Sequence, residues 1–288
     1  MKLCLGSAQF GLNYGLTNKT GKVNSLELRN ILDISKKNGI KTIDTAFSYG
    51  DSEKALGTCG IKGFKLISKL PSLPDTKYTY LKLKYFISNS LGRLQLPKLH
   101  GILFHNSADL LNQDAQYMNE CFERLKEERI VSNFGVSIYN TEELDKLFEK
   151  NFDINIVQGP INIFDRRIVT SGWLNELAKK NVEFHARSIF LQGLLIEPVF
   201  HAKPYFRNWK NVFERYENFV CESGYDSLSL ALNYVKSISN ISNIIVGIQS
   251  TSQIKEIISK YGKVIDIDYP SYLASNDEML VNPSFWRI

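Results

Sequence analysis

The chain has 288 residues, 43% hydrophobic and 23% charged, a balance that argues against disorder, collagen-like repeats and coiled coil and supplies a full-sized core. At about 150 residues per domain, the length fits either two ordinary domains or one large α/β barrel. The 35 basic and 30 acidic residues leave a net charge of +5, scattered rather than clustered, which argues against nucleic acid as a partner but permits a local pocket for an anion.

Met1-Lys2-Leu3-Cys4-Leu5-Gly6 reaches a glycine without the apolar run of a secretory signal. Leu3–Leu5 reads as a strand followed by a Gly-rich loop. From Asn24, the residues Leu28, Ile31, Leu32 and Ser35 share one helical face; Asn24 with Glu27 resembles a capping box, and Gly39 supplies the stop. The same rhythm predicts further strands over 41–46, 64–69, 99–105, 132–137, 154–159, 182–188 and 243–247. Helical patterns fill the gaps, such as Leu144, Leu147 and Phe148 after Thr141, or Leu228, Ala231, Val235 and Ile238. Eight β/α alternations without a Pro/Gly/Ser linker predict one α/β domain over 1–288, a (β/α)8 TIM barrel, rather than two doubly wound domains.

One connection is longer than a crossover needs: 54 residues separate Ser188 from Asn243. Its excess, Phe190 to Lys210, carries Gln192-Gly193 and then Phe200, His201, Lys203, Tyr205, Phe206, Arg207, Trp209 and Lys210. Enlarged loops after barrel strands line the reactive face, so this stretch is a candidate lid or substrate loop, with Lys203, Arg207 and Lys210 suited to an anionic substrate. Its other reading is a surface loop with solvated cations. The cysteines Cys4, Cys59, Cys121 and Cys221 lie far apart with no metal-ligand spacing, which predicts no metal site and a reduced, cytoplasmic setting. No run of about 18 apolar residues occurs, so no membrane span is expected.

In a barrel, polar residues at the carboxyl ends of strands are the ones positioned to react. Asp44 ends the second predicted strand, Tyr49 follows in its loop, Lys69 ends the third and His105 the fourth. Singly, each has an ordinary structural reading: turn-former, packed aromatic, solvated strand end, satisfied histidine. Together on three adjacent strands they form a possible proton source, because an ammonium beside a phenol favours phenolate, a carboxylate fixes that ammonium, and an imidazole can orient a carbonyl.

Gly6-Ser7-Ala8-Gln9-Phe10-Gly11, Asp44-Thr45-Ala46 followed by Tyr49-Gly50-Asp51-Ser52-Glu53, and then Ser68-Lys69, Leu103-Phe104-His105-Asn106, Gly135-Val136-Ser137, Val157-Gln158 and Gln192-Gly193-Leu194-Leu195 resemble the signature of the aldo-keto reductase family. The resemblance implies NAD- or NADP-dependent reduction of a small carbonyl substrate, with Tyr49 as proton donor, Lys69 and Asp44 lowering its pKa and His105 positioning the carbonyl. It further implies Ser137 and Gln158 at the carboxamide, Ser188 and the Leu191–Gly193 loop along the pyrophosphate, and Gly247, Gln249, Ser250 and Gln253 at the adenosine end. Three positions depart from the family pattern. Ile138 stands where asparagine is usual, Arg187 replaces the aromatic that stacks on nicotinamide, and no cation follows the eighth strand until Lys255, which predicts weak discrimination between NADPH and NADH. The chain, with its Asn282-Pro283-Ser284-Phe285-Trp286 tail, resembles bacterial members associated with surface-polysaccharide sugars, which implies a sugar or nucleotide-linked sugar as substrate. Two other readings share the barrel: a nicotinamide-binding sensor or scaffold, and a lyase or isomerase in which Lys69 lies free of Asp44.

Overall fold

Apolar residues at alternate positions build β1 (Lys2–Gly6), β2 (Thr42–Asp44), β3 (Lys65–Leu70), β4 (Leu99–Phe104), β5 (Val131–Ser137), β6 (Ile156–Pro160), β7 (Glu183–Arg187) and β8 (Asn243–Gly247). In the computed structural model, which describes residues 2–73 and 77–287, these strands run parallel in sequence order and close into a barrel, β8 pairing back onto β1 with Cys4 opposite Ile245. The predicted (β/α)8 architecture is the observed one, each strand lying within about two residues of its predicted bounds. β2 stops early at Asp44 because the chain begins to turn, yet Thr45 and Phe47 still donate to the Ile67 and Lys69 carbonyls of β3.

The main helices between strands are α1 (Ser25–Lys37), α2 (Ser52–Cys59), α3 (Tyr80–Leu94), α4 (Ala115–Glu127), α5 (Glu142–Glu149), α6 (Trp173–Lys179), the pair α7 (Lys210–Ser223) and α8 (Ser227–Ser237), and α9 (Thr251–Tyr261). α1 buries Leu28, Ile31, Leu32 and Ser35 as its period predicts, and Asn24 accepts from the Glu27 N–H at 2.9 Å. The reciprocal half of the capping box is absent: the Glu27 carboxylate accepts instead from the backbone N–H of Thr251, the first residue of α9.

Strand alternation sorts side chains into two shells. Outward positions such as Leu5, Ile43, Ile102, Phe104, Phe134, Val136, Val157 and Val246 join the helices in one continuous core, in which Phe122 of α4 stacks on Phe134 at 4.1 Å. Inward positions form a small separate cluster of Ile67, Leu103 and Ile156. One step further along each strand, the inward positions are Gly6, Asp44, Lys69, His105, Ser137, Gln158, Arg187 and Gly247. The inner face thus becomes polar or vacant at the carboxyl ends of the strands.

The long connection after β7 forms three 3₁₀ turns, Leu191–Gly193, Val199–Ala202 and Pro204–Trp209, before α7. Its second half packs against the C-terminal segment: Tyr205 donates to the Met279 carbonyl (2.8 Å), Trp209 to Asp277 (2.8 Å), and Phe206 meets Trp286 edge-on at 5.0 Å. No helix among the described residues is long and apolar enough to cross a membrane.

Truncating Phe134 to Ala empties a fully buried site between β5 and α4, and a loss of about 3–5 kcal/mol is expected in urea unfolding. A loss under about 1 kcal/mol would mean that this outer shell is not closely packed.

Candidate active site

The polar rim is held in place by two layers of contacts. Lys69 Nζ lies 2.7 and 2.6 Å from the two Asp44 oxygens and donates to the Thr45 carbonyl at 3.1 Å, with the lysine 1% and the aspartate 4% exposed. Gln158 donates to the same carboxylate at 2.7 Å. Lys69 Nζ is 5.1 Å from the centroid of the Tyr49 ring, and the ring meets His105 edge-on at 5.7 Å. Asp44, Tyr49, Lys69 and His105, expected together from sequence, converge at one end of the barrel. Lys69 is not free of Asp44, contrary to what the lyase reading required.

The residues after Tyr49 fix its loop. Ser52 donates to the Ser7 carbonyl (2.9 Å) and Ser7 Oγ (2.8 Å) at the end of β1. Glu53, 1% exposed, accepts from Ser68 (2.6 Å), the neighbour of Lys69, and pairs with Arg93 at 3.4 Å. The backbone of Gly11 lies so close that a Cβ there would sit 1.9 Å from the Tyr49 carbonyl oxygen. The Gly50–Glu53 motif therefore ties the phenol's loop to β1 on one side and β3 on the other.

Electrostatics assign protonation states. Burial pushes the Tyr49 hydroxyl up, and the downward pull of Lys69 and Arg187 does not outweigh it. The sequence-based expectation of a phenol tuned down toward neutrality is thus corrected, because desolvation of the phenolate is the larger effect. Burial also works against the Lys69 ammonium, but Asp44 overcomes it and holds the group charged above its ordinary range. His105 is pushed down to about 4, first by burial and then by Lys69, so at neutral pH it is an uncharged imidazole.

A recess of about 580 Å³ runs from this cluster to the start of α9, lined at its near end by Ser137, Gln158, Arg187 and Ser188 and at its far end by Gly247, Gln249 and Gln253. Two loops bridge over it. Leu16 N–H donates to the Gln192 carbonyl (3.2 Å), Lys19 pairs with Glu197 (3.0 Å), and Gly193 sits against Thr17, where a Cβ would come within 2.2 Å of the hydroxyl oxygen. A dinucleotide fits this recess on two observations. Gln9, 8% exposed and part of the lining, has a buried Oε1 with no partner among the described residues. Gly247 has no Cβ, which would stand 2.7 Å from Gln9 Nε2 and narrow the passage.

Several expected residues are placed otherwise. Leu191 does not line the recess: its apolar side chain is fully buried beneath the turn. Ser250 is the N-cap of α9, accepting from the Gln253 N–H at 3.2 Å, and is also outside the lining. Lys203, Arg207 and Lys210 line neither this recess nor the second one described below; Lys210 pairs with Glu214 at 3.4 Å, and the aromatics between them anchor the segment to the tail. Arg187 does reach the cluster, donating to the Ile138 carbonyl at 2.7 Å with its guanidinium 4.3 Å from the Tyr139 ring centroid.

A second recess of about 450 Å³ shares His105 and Tyr139 with the first and is otherwise lined by Ser72, Asn106, Asn140, Glu278, Asn282, Ser284 and Phe285. Sequence reasoning missed Gln9, Tyr14, Tyr139 and the tail residues of this lining. Gln9 stood inside the Gly6–Gly11 motif, and Tyr139 directly followed Ser137-Ile138. Among the described residues no cluster could hold a metal ion.

Two solved structures are similar to this fold, both of provisionally named aldo-keto reductases from Pseudomonas aeruginosa. One is 19% identical with a TM-score of 0.66, the other 18% with 0.65, each alignment covering 90% of this chain and 88% of the other. No curated protein matches the sequence significantly. The family model described as "Aldo/keto reductase family" matches residues 2–277, nearly the whole chain including Asp44, Tyr49, Lys69 and His105, and the protein belongs to that family.

Proposed function

We propose that the protein reduces an aldehyde or ketone to an alcohol with Tyr49 as the proton donor, within the NAD(P)H-dependent carbonyl reduction that characterises its family. The observation that carries this reading is the buried Lys69 ammonium, clamped by Asp44 at 2.6 Å and facing the Tyr49 ring. When bound, the nicotinamide supplies the hydride. Ser137 and Gln158 orient its ring from the near end of the recess, Gln158 being itself held by Asp44. The Tyr49 hydroxyl, protonated at neutral pH, donates to the carbonyl oxygen as negative charge develops there, and the adjacent ammonium stabilises the phenolate left behind. His105, uncharged, offers a ring N–H that fixes the carbonyl without competing for the proton.

The second recess supports a sugar as substrate. Its lining of Asn106, Asn140, Asn282, Ser284 and Ser72 offers amide N–H and hydroxyl groups to a polyol, with Glu278, paired with Arg167 at 3.0 Å, beside them and no lysine or arginine among the described lining residues. This favours the neutral, hydroxyl-rich part of a sugar next to the reacting carbonyl over an anionic group at that point. A cytoplasmic role in carbohydrate metabolism is consistent with that chemistry. A sensor barrel that only binds nicotinamide has no use for a buried ammonium–carboxylate pair beside a phenol.

Replacing Tyr49 with Phe should lower turnover by about a hundred- to ten-thousandfold while NAD(P)H binding, followed by Trp fluorescence, is kept. Lys69→Met should fail similarly. A Tyr49→Phe enzyme with unchanged turnover would remove the assigned role.

The depressed His105 also predicts a pH dependence. Above the unfolded value near 6.5 the ring is neutral in both states and contributes nothing. Between about 6.5 and about 4 only the unfolded chain takes up the proton, so stability falls as pH falls through that window. His105→Asn should therefore recover roughly 1–3 kcal/mol relative to wild type on going from pH 7 to pH 4.5 in urea unfolding. Parallel pH profiles for the two proteins would contradict the half-buried, neutral imidazole.

A further inference from the structure

One positive charge at the Tyr49 end of the recess has no negative partner. The acids of the lining are each matched elsewhere: Asp44 with Lys69 at 2.6 Å, Glu197 with Lys19 at 3.0 Å and Glu256 with Lys260 at 3.6 Å. Arg187, also in the lining, forms no ion pair among the described residues. Its guanidinium donates to the Ile138 carbonyl at 2.7 Å and the Ser188 hydroxyl at 3.2 Å and lies 4.3 Å from the Tyr139 ring centroid, none of them a carboxylate. With His105 uncharged and Lys69 cancelled by Asp44, the net charge of this end is the one that Arg187 carries.

That charge is fixed in place. The Arg187 carbonyl accepts from the Ile161 N–H at 3.1 Å and the Ser188 carbonyl from the Asn162 amide at 3.0 Å, so the end of β7 is tied to the segment after β6. Burial is the largest influence on the Tyr49 and Tyr14 hydroxyls and on the His105 ring, and the Arg187 charge reaches all three, drawing each down. It therefore acts on the space in front of Tyr49 and His105. A nicotinamide ring must lie there if its hydride is to reach a carbonyl held by those two residues.

The charge of that ring depends on its redox state: the oxidised ring carries one positive charge and the reduced ring none. A like charge fixed close by in a site screened from water raises the free energy of the oxidised form and leaves the reduced form almost untouched. We infer that Arg187 makes the site distinguish the two redox states of its cofactor, holding the reduced dinucleotide more tightly than the oxidised one, so that the protein loads with reductant and sheds the spent form. The inference rests on the carbonyl-reduction reading of the site and adds to it the residue that sets which form of the cofactor is retained.

Isothermal titration of the full-length protein with NADH and NAD+, and with NADPH and NADP+, tests it. The members of each pair share their adenosine and pyrophosphate, so the ratio of their dissociation constants reads the nicotinamide ring alone. In the wild type the reduced form is expected to bind at least about tenfold more tightly. Arg187→Met should shrink that ratio by about tenfold, chiefly through tighter binding of the oxidised form, whereas Arg187→Lys, which keeps the charge, should retain most of it. A merely structural part for Arg187 would weaken both members of a pair alike. A ratio near one in the wild type, or a ratio unchanged in Arg187→Met, would overturn the assignment while leaving the dinucleotide site intact. If no dinucleotide binds in either form, the cofactor reading falls and this inference with it.

Discussion

A charged pair sealed inside the mouth of the barrel sets the conditions for everything around it. Lys69 and Asp44 are almost wholly removed from water, and a buried ion is tolerable only when paired and fully hydrogen-bonded. That requirement accounts for the three hydrogen bonds converging on Asp44, two from Lys69 and one from Gln158, and for the bond the ammonium donates to the Thr45 carbonyl. It also accounts for the short second strand. Asp44 must end its strand at the height where Lys69, two residues beyond its β3 partner Ile67, can reach it. Losing either partner would leave an uncompensated charge in the core, so the pair constrains the fold as much as the chemistry.

The two departures from the family pattern around Arg187 become one in three dimensions. The usual asparagine after Ser137 is replaced by Ile138, whose side chain is 2% exposed and whose carbonyl instead accepts from the Arg187 guanidinium. The next residue, Tyr139, lies under that guanidinium. A residue that would have contributed a polar side chain now contributes a backbone oxygen, and the arginine it holds adds positive charge near Tyr49 and His105.

Much of this was legible in the sequence. The eight strands follow from short apolar runs separated by helical periods, and Asp44, Tyr49, Lys69 and His105 follow from their place at strand ends. What was not legible depends on contacts between distant segments. Glu27 satisfies every local criterion for a capping box, yet a chain more than two hundred residues away offers its carboxylate a better-placed amide. Lys203, Arg207 and Lys210 read as a basic patch because charge is visible in sequence, whereas the pull of Tyr205, Phe206 and Trp209 onto the tail is not. The phenol's upward shift was missed for a related reason: the ammonium beside it can be named from sequence, but the degree of desolvation that outweighs it cannot.

The bridge of Leu16, Thr17 and Lys19 against Gln192, Gly193 and Glu197 spans one recess and leaves the other uncovered. Traffic through the molecule is therefore asymmetric. A dinucleotide lying beneath the bridge has a hydrogen bond and an ion pair above it, whereas a substrate reaching His105 and Tyr139 through the second recess meets neither contact.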